Sequence, residues 1–296
     1  MISREAIASV LDAYPYPTDA KEELLSAFDL VCEREDFQAL LATYCADVEA
    51  PFAPLLEGMK AVSAAVGIHE YTGAFVLMLS LIPRLAEEFR ARDISLDILR
   101  DTLADLYYKL LECRALYNIN GSSVAHWQSL IFRMRLYAFE RLQFEPILTA
   151  KEIVADGRTL PVGTKVFSVH IPRTLTPMDH DAVLRSYALA DEFIRARGMA
   201  EETIFVCSSW LLFPTHREML RPTSNIVRFL NDFTLYDSGF AENYNELWRL
   251  FDTHIKDIDS LPADTSLRRA YIDRMRRGEP SGWGRGVIFW SEHHLL

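Results

Sequence analysis

The spacing of the apolar residues changes once along this chain, near residue 138. Before that point, apolar residues recur every three or four positions, which is the period of a helix with one buried face. After it, residues 138–144 and 165–171 alternate between apolar and polar side chains, as in a strand with one buried face. We therefore expect two domains, a helical one at 1–137 and one containing a sheet at 138–296.

The second domain is predicted to hold a mixed sheet with helices packed on it. Residues 165–171 and 203–209 give the strongest strand patterns. Residues 204–207 are continuously apolar, as in a strand covered on both faces. The other expected elements are a strand or extended segment at 225–233, helices near 177–198, 241–254 and 266–278, and a last strand at 287–290. This order predicts a helical N-terminal domain followed by a mixed α/β (α+β) domain.

Charge and cysteine content narrow the class of protein. Acidic residues outnumber basic ones by 42 to 31, and the net charge of −11 disfavours nucleic acid and anionic membranes as main partners. No stretch approaches the ~20 apolar residues of a membrane span, and no signal peptide pattern is present. The four cysteines form no CxxC pair and lie at no metal-ligand spacing, so we expect a cytoplasmic protein without a metal. The oligomeric state, a homodimer included, stays open.

His170 is the first candidate for a catalytic residue. It lies near the end of the strand at 165–171, on the face opposite Phe167 and Val169. Histidine titrates near neutral pH, so it can act as a general base there. The alternative is a structural histidine that only makes hydrogen bonds.

Ser208, Ser209 and Trp210 follow the buried strand directly. Ligands of α/β folds bind at this end of a strand, and the N–H groups of a following helix can bind an anion or polarise a carbonyl. The alternative is that a serine merely caps the next helix. A serine nucleophile has less support, because the chain has no GxSxG motif.

Two further segments carry candidate binding residues. Residues 281–286 read SGWGRG, and amides near Gly284 together with Arg285 and the arginine-rich helix at 266–278 could hold a phosphate. The alternatives are a flexible turn and a helix face that is solvated or paired with carboxylates. Asn225 and Arg228 could order a substrate amide or carboxylate, or could make structural hydrogen bonds.

The same segments resemble a known bacterial family. Their sequences are RLQFE at 141–145, VHIP at 169–172, CSSWLLFP at 207–214 and SNIVRF at 224–229. In order and spacing they are similar to acyltransferase-domain proteins, which join a helical N-acyltransferase domain to a GNAT-like (N-acetyltransferase-like) domain. The resemblance is specific over residues 135–228 and extends to the architecture of the whole chain.

The resemblance implies transfer of an acyl group from acyl-CoA, as co-substrate, to an amine on a small molecule. His170 would then deprotonate the amine, and backbone amides at 208–210 would polarise the thioester carbonyl. Tyr187 or Tyr236 would protonate the leaving thiolate. The groups expected to meet CoA are Ser208, Trp210, Arg173, Gly284 and Arg285.

Two other hypotheses stay open. Neither turn, after 171 or after 209, carries the R/Q-x-x-G-x-G/A loop with which well-understood GNAT enzymes bind pyrophosphate, so the domain could be an inactive binding module. A hydrolase using Ser209 or Cys207 is the third hypothesis. GNAT enzymes insert the pantetheine arm between two separating strands, so a gap between the strands of His170 and Cys207 would favour acyl transfer.

Overall fold

A computed structural model of the protein describes residues 2–241, 243–244 and 247–290. Contacts between Cα atoms divide the chain into two compact units, Met1–Tyr137 and Ala138–Leu296. The prediction of a helical region followed by a mixed sheet with helices is confirmed.

Seven helices make up the described part of the first unit. Their bounds are α1 Arg4–Asp12, α2 Thr18–Val31, α3 Glu35–Ala46, α4 Ala53–Val66, α5 Glu70–Ala91, α6 Leu96–Tyr117 and α7 Ala125–Phe132. Helix α5 is central, because five consecutive residues, 75–79, are fully buried and the other helices pack around it. Among the described residues no single helix could cross a membrane by length and composition; α4 and α5 pass that test only as a pair bent by 120°.

A six-stranded sheet organises the second unit. The strands of this sheet and of a separate hairpin, in chain order, are β1 Tyr137–Phe139, β2 Leu142–Leu148, β3 Ile153–Ala155, β4 Arg158–Leu160, β5 Lys165–His170, β6 Ile204–Ser209, β7 Thr234–Ala241 and β8 Ser281–Phe289. The order across the sheet is β1-β2-β5-β6-β8-β7, and β3 and β4 form a separate hairpin. Strands β5 and β6 are parallel, whereas β2–β5, β6–β8 and β7–β8 are antiparallel.

Five helices complete the described part of this unit. They are α8 His180–Ala196, α9 His216–Met219, α10 Asn225–Asn231, α11 Trp248–Phe251 and α12 Ser266–Arg276, with 3₁₀ turns at Trp210–Leu212 and Ile258–Ser260. The fold is thus a mixed α/β arrangement in which the crossover between the parallel strands β5 and β6 is α8.

The two faces of the large sheet are covered differently. One face, which we call the helix face, is covered by α8, where Phe144 and Phe205 of the sheet pack against Tyr187. The β3–β4 hairpin covers half of the opposite face, which we call the hairpin face. There Val166 and Val206 form an apolar cluster with Leu160 of the hairpin. Because side chains alternate along a strand, every residue of β5 and β6 can be assigned to one of these faces.

The prediction of a strand or extended segment at 225–233 is wrong, because residues Asn225–Asn231 form α10. The Oγ of Ser224 caps this helix by accepting a hydrogen bond from the N–H of Val227 at 3.2 Å. A short apolar run fits a strand and a buried helix equally well. The cap favours the helix.

Three other boundaries differ from the prediction. Residues 138–144 form two strands, β1 and β2, because the chain turns at Glu140, whose φ of 52° is left-handed. In place of a long helix near 241–254 the structure has the end of β7 and the short α11, while residues 242, 245 and 246 lie outside the described residues. Strand β8 begins at Ser281, six residues before the expected start, so the glycine-rich segment is strand and not a turn.

Candidate active site

The pairing between β5 and β6 stops before the C-terminal end of either strand. Their ladder contains two residue pairs, Phe167 with Phe205 and Ser168 with Val206. Beyond it, β5 continues to His170 in the ladder with β2, and β6 continues to Ser209 in the ladder with β8. Each strand thus stays paired with its outer neighbour beyond the point where the pairing between β5 and β6 ends, and we call this unpaired stretch the gap.

Polar side chains form one row across the sheet at this gap. His170 and Ser208 each follow the paired residues Phe167 and Phe205 by three positions, so they lie opposite each other across the gap. Ser208 pairs with Arg285 of β8, and Arg285 pairs with Asp237 of β7. All four share the hairpin face by the alternation of side chains, and we call them the polar row. Ser208 is exposed although it lies in a central strand, so this half of the face is open.

His170 is paired with a carboxylate that the sequence analysis missed. Its Nε2 lies 3.0 Å from Oε2 of Glu145 on β2, and the two side chains are 25% and 18% exposed. Glu145 stands opposite Ser168 in the ladder, so it reaches His170 along the diagonal between neighbouring strands. An imidazole held by a carboxylate is the arrangement of a general base with an orienting partner.

Ser209 and Trp210 are not brought together with His170. The Ser209 side chain belongs to the helix face, and its Oγ accepts a hydrogen bond from the N–H of Leu211 at 3.1 Å, capping the 3₁₀ turn. Trp210 packs edge-on against Tyr271. Of the three consecutive candidates, only Ser208 belongs to the polar row.

The candidate phosphate-binding residues are separate from one another. Arg173, in the loop after β5, pairs with Asp252, whereas Arg285 pairs with Asp237 at 2.8 Å and lies 4.8 Å from the ring centre of Trp283. Gly284 lies in the β8 ladder, where a Cβ atom would stand 2.1 Å from the carbonyl oxygen of Leu212. Its missing side chain therefore serves close packing against the 3₁₀ turn.

The arginine-rich helix α12 pairs with carboxylates of its own unit. Arg268 binds Asp252 and Asp264. The other ion pairs are Arg274 and Arg277 with Glu279, and Arg276 with Asp259. Of the two interpretations that the sequence left open, the structure agrees with pairing to carboxylates.

The remaining candidates divide between the two faces. Asn225 and Arg228 lie on α10, which packs with α8 on the helix face, away from His170. Tyr187 is fully buried on that same face, and burial raises the pKa of its hydroxyl well above the usual value. Tyr236 lies at the bulge of β7 next to Asp237 and packs on the hairpin-face cluster, and burial raises its pKa as well.

Cys207 is a buried thiol on the helix face. Its side chain is 1% exposed, and burial raises the pKa of the thiol far above the ordinary value. A thiol kept protonated is a poor nucleophile, so the geometry disfavours a hydrolase that uses it. Among the residues that the structure describes, no three His, Cys, Asp or Glu side chains gather as metal ligands would.

Three solved structures share this fold. An acyltransferase in complex with decanoyl-CoA is 22% identical, with a TM-score of 0.76 over 96% of this chain and 87% of that one. A mutant acyltransferase in complex with octanoyl-CoA is 21% identical, with a TM-score of 0.75 over 96% of this chain and 88% of that one. An acyltransferase in complex with decanoyl-CoA and teicoplanin is 21% identical, with a TM-score of 0.75 over 95% of this chain and 87% of that one. A comparison with curated protein sequences gave no match.

Family models match both parts of the sequence. The model of the N-acyltransferase N-terminal domain matches residues 5–134. The model of the GNAT-like C-terminal domain matches residues 136–288, more than half of the chain. The resemblance found in the sequence is confirmed, and the chain belongs to the family of acyltransferases that join an N-acyltransferase N-terminal domain to a GNAT-like C-terminal domain.

Proposed function

We propose that this acyltransferase takes an acyl group from acyl-CoA and passes it to an amine on a small molecule. The observation that carries the proposal is the gap between β5 and β6, with His170 on one side and Ser208 on the other. In the reaction the amine nitrogen forms a bond to the thioester carbonyl carbon, and the carbon–sulfur bond breaks. The products are an amide and free CoA, and the proton lost by the amine ends on the CoA thiol.

The gap suits the pantetheine arm of the donor. Beyond Ser168 and Val206, the facing edges of β5 and β6 carry backbone groups that no longer pair across the gap. Pantetheine is an extended chain with two amide groups, so it can bond to such edges as an added strand does. The structurally similar acyltransferases that hold decanoyl-CoA and octanoyl-CoA support an acyl-CoA donor and make these two compounds the first to test.

Side chains on the hairpin face supply the proton transfers. We assign His170 as the base that takes the proton from the amine. Backbone N–H groups near Ser208 polarise the thioester carbonyl where negative charge develops. Tyr236, on the same face and with a raised pKa, keeps its proton at neutral pH and can give it to the leaving thiolate.

The CoA phosphates and the acceptor complete the proposal. We propose that Arg173 meets the CoA phosphates, because it lies in the loop after β5 and a phosphate could replace the carboxylate of Asp252, with which Arg173 forms a partly exposed ion pair. A glycopeptide amine is the first acceptor to test, because a structurally similar acyltransferase binds teicoplanin. The cytoplasm is the proposed compartment, since all four cysteines are unbridged.

Calorimetry and a CoA-release assay test the proposal together. We expect decanoyl-CoA or octanoyl-CoA to bind, and CoA to be released when an amine from a panel that includes teicoplanin is added. His170→Ala should bind the donor with the affinity of the wild type and should release CoA at least about 100-fold more slowly. Absence of donor binding at millimolar concentration would contradict the proposal, whereas binding without release by the wild type would favour the inactive binding module.

A further inference from the structure

We infer that Glu145 is a positioning residue that sets the tautomer of His170 and so presents a basic nitrogen to the acceptor amine. The inference rests on the proposed function, because it requires His170 to be the base. Glu145 is the last residue of the RLQFE segment at 141–145. It was not among the candidate site residues, and it lies on a strand that does not border the gap.

The contact is specific in its geometry. Oε2 of Glu145 lies 3.0 Å from Nε2 of His170, a hydrogen-bonding distance. The two side chains come from neighbouring antiparallel strands and share the hairpin face, because Glu145 stands opposite Ser168, two residues before His170. Both are mostly buried, at 18% and 25% exposed, so solvent competes with this contact less than with a surface pair.

The chemistry of the pair selects one form of the imidazole ring. An ionised carboxylate can only accept hydrogen bonds, so the nitrogen that faces it carries the proton. With Nε2 protonated, the neutral ring holds its lone pair on Nδ1. A ring in the other tautomer has its base nitrogen turned toward Glu145 and cannot take a proton from the amine. Glu145 should therefore affect kcat and leave the KM for the donor unchanged.

A purely structural ion pair predicts different behaviour. Removing it would lower stability by a similar amount in any background and would leave the turnover of the folded enzyme unchanged. A positioning residue acts through His170, so its effect on turnover disappears when His170 is absent. Non-additivity of this kind identifies residues that work as a unit.

The kinetic experiment compares Glu145→Gln, His170→Ala and the double variant. The measured quantity is CoA release from decanoyl-CoA, with water or the best amine of the panel as acceptor. We expect Glu145→Gln to lower kcat by about 10- to 100-fold, within the ~100- to 10,000-fold that a general base contributes. The same change made in His170→Ala should cause no further loss.

A matched control comes from the same unit. Glu202 precedes β6 at its other end and binds Arg158 at 2.6 Å, with 33% of its side chain exposed. Glu202→Gln removes a comparable ion pair without touching His170, and should keep the kcat of the wild type. Glu145→Asp, which keeps the charge and shortens the side chain, replaces Glu145→Gln if that variant does not fold.

A spectroscopic readout separates this inference from the proposed function. In protein labelled with ¹⁵N-histidine, His170 is assigned by its absence from the His170→Ala spectrum. We expect Nε2–H in the wild type and a mixture of tautomers in Glu145→Gln. An unchanged tautomer, or additive losses in the double variant, would overturn the positioning role while acyl transfer stands. A changed tautomer with no CoA release by the wild type would overturn the proposed function and, with it, the positioning role of Glu145 in acyl transfer.

Discussion

Replacing Gly284 by alanine separates two explanations of the glycine-rich segment. A Cβ at this position would stand 2.1 Å from the Leu212 carbonyl oxygen and 2.8 Å from its carbonyl carbon. Ordinary van der Waals contact begins near 3.4 Å, so the 3₁₀ turn or β8 must move by about 1 Å. Both obstacles are backbone atoms, and a rotamer change cannot relieve the clash.

The expected cost follows from this geometry. Overpacking a rigid site costs about 1–3 kcal/mol, and the backbone contact places Gly284→Ala toward the upper end. For a unit of this size that corresponds to a fall in Tm of about 5–10 °C. Ser238→Ala is the matched control, because Ser238 is the cross-strand partner of Gly284 on β7 and is exposed. Its effect should stay within about 0.5 kcal/mol.

Thermal unfolding and donor binding, measured on the same variants, decide between the explanations. If Gly284 serves packing, the Tm of Gly284→Ala falls, and the folded fraction binds decanoyl-CoA with nearly unchanged affinity. If Gly284 is part of a phosphate-binding site, affinity falls while the Tm stays at the wild-type value. The second result would refute the packing argument.

Two further expectations follow from the second unit. Burial lowers the pKa of His216 to about 4 from an ordinary 6.5, so the unfolded chain takes up a proton first as pH falls. The free energy of unfolding is therefore unaffected by His216 above about pH 6.5 and falls by about 3 kcal/mol between pH 6.5 and pH 4. Urea unfolding measured across this pH range should show the fall in the wild type and not in His216→Gln. Ser224→Ala removes the cap of α10 and should cost about 1 kcal/mol in the same assay, whereas no loss would argue against the cap.

The helical half could be predicted because its pattern is long. The apolar spacing of residues 71–89 and 96–116 predicts the two longest helices of this half, and these are α5 and α6, with ends that differ by at most two residues. A period of 3.6 that persists over five or six turns has few alternative interpretations. The apolar run within residues 225–233 is shorter than three turns, so the same kind of evidence could not separate helix from strand.

The sequence did not predict the glycine-rich strand, because the contacts that require its glycines are with residues distant in the chain. Glycine is rare in strands and common in turns, which favoured a turn at 281–286. The glycines at 282, 284 and 286 share the helix face, where Phe213, Leu212 and Phe233 leave no room for a Cβ. Their spacing of two residues was a signal for a strand with one small face, but the elements packed on it could not be read from the sequence.

The candidate site was predictable in part. The alternation of residues 165–171 assigned His170 to the face opposite Phe167, as the structure has it. Glu145 could not be found in this way, because its contact with His170 depends on the register between β2 and β5. The same limit applies to Ser208 and Ser209, which are adjacent in sequence and lie on opposite faces of the sheet.

The most direct test of the account is hydrogen–deuterium exchange with and without decanoyl-CoA. A pantetheine arm that bonds to the edges of the gap should slow exchange of the backbone amides at 169–171 and 207–209. The amides of α10 and α12 should exchange as before. Slowed exchange confined to α12 and β8, with none at the two edges of the gap, would contradict the central claim that the donor binds between β5 and β6.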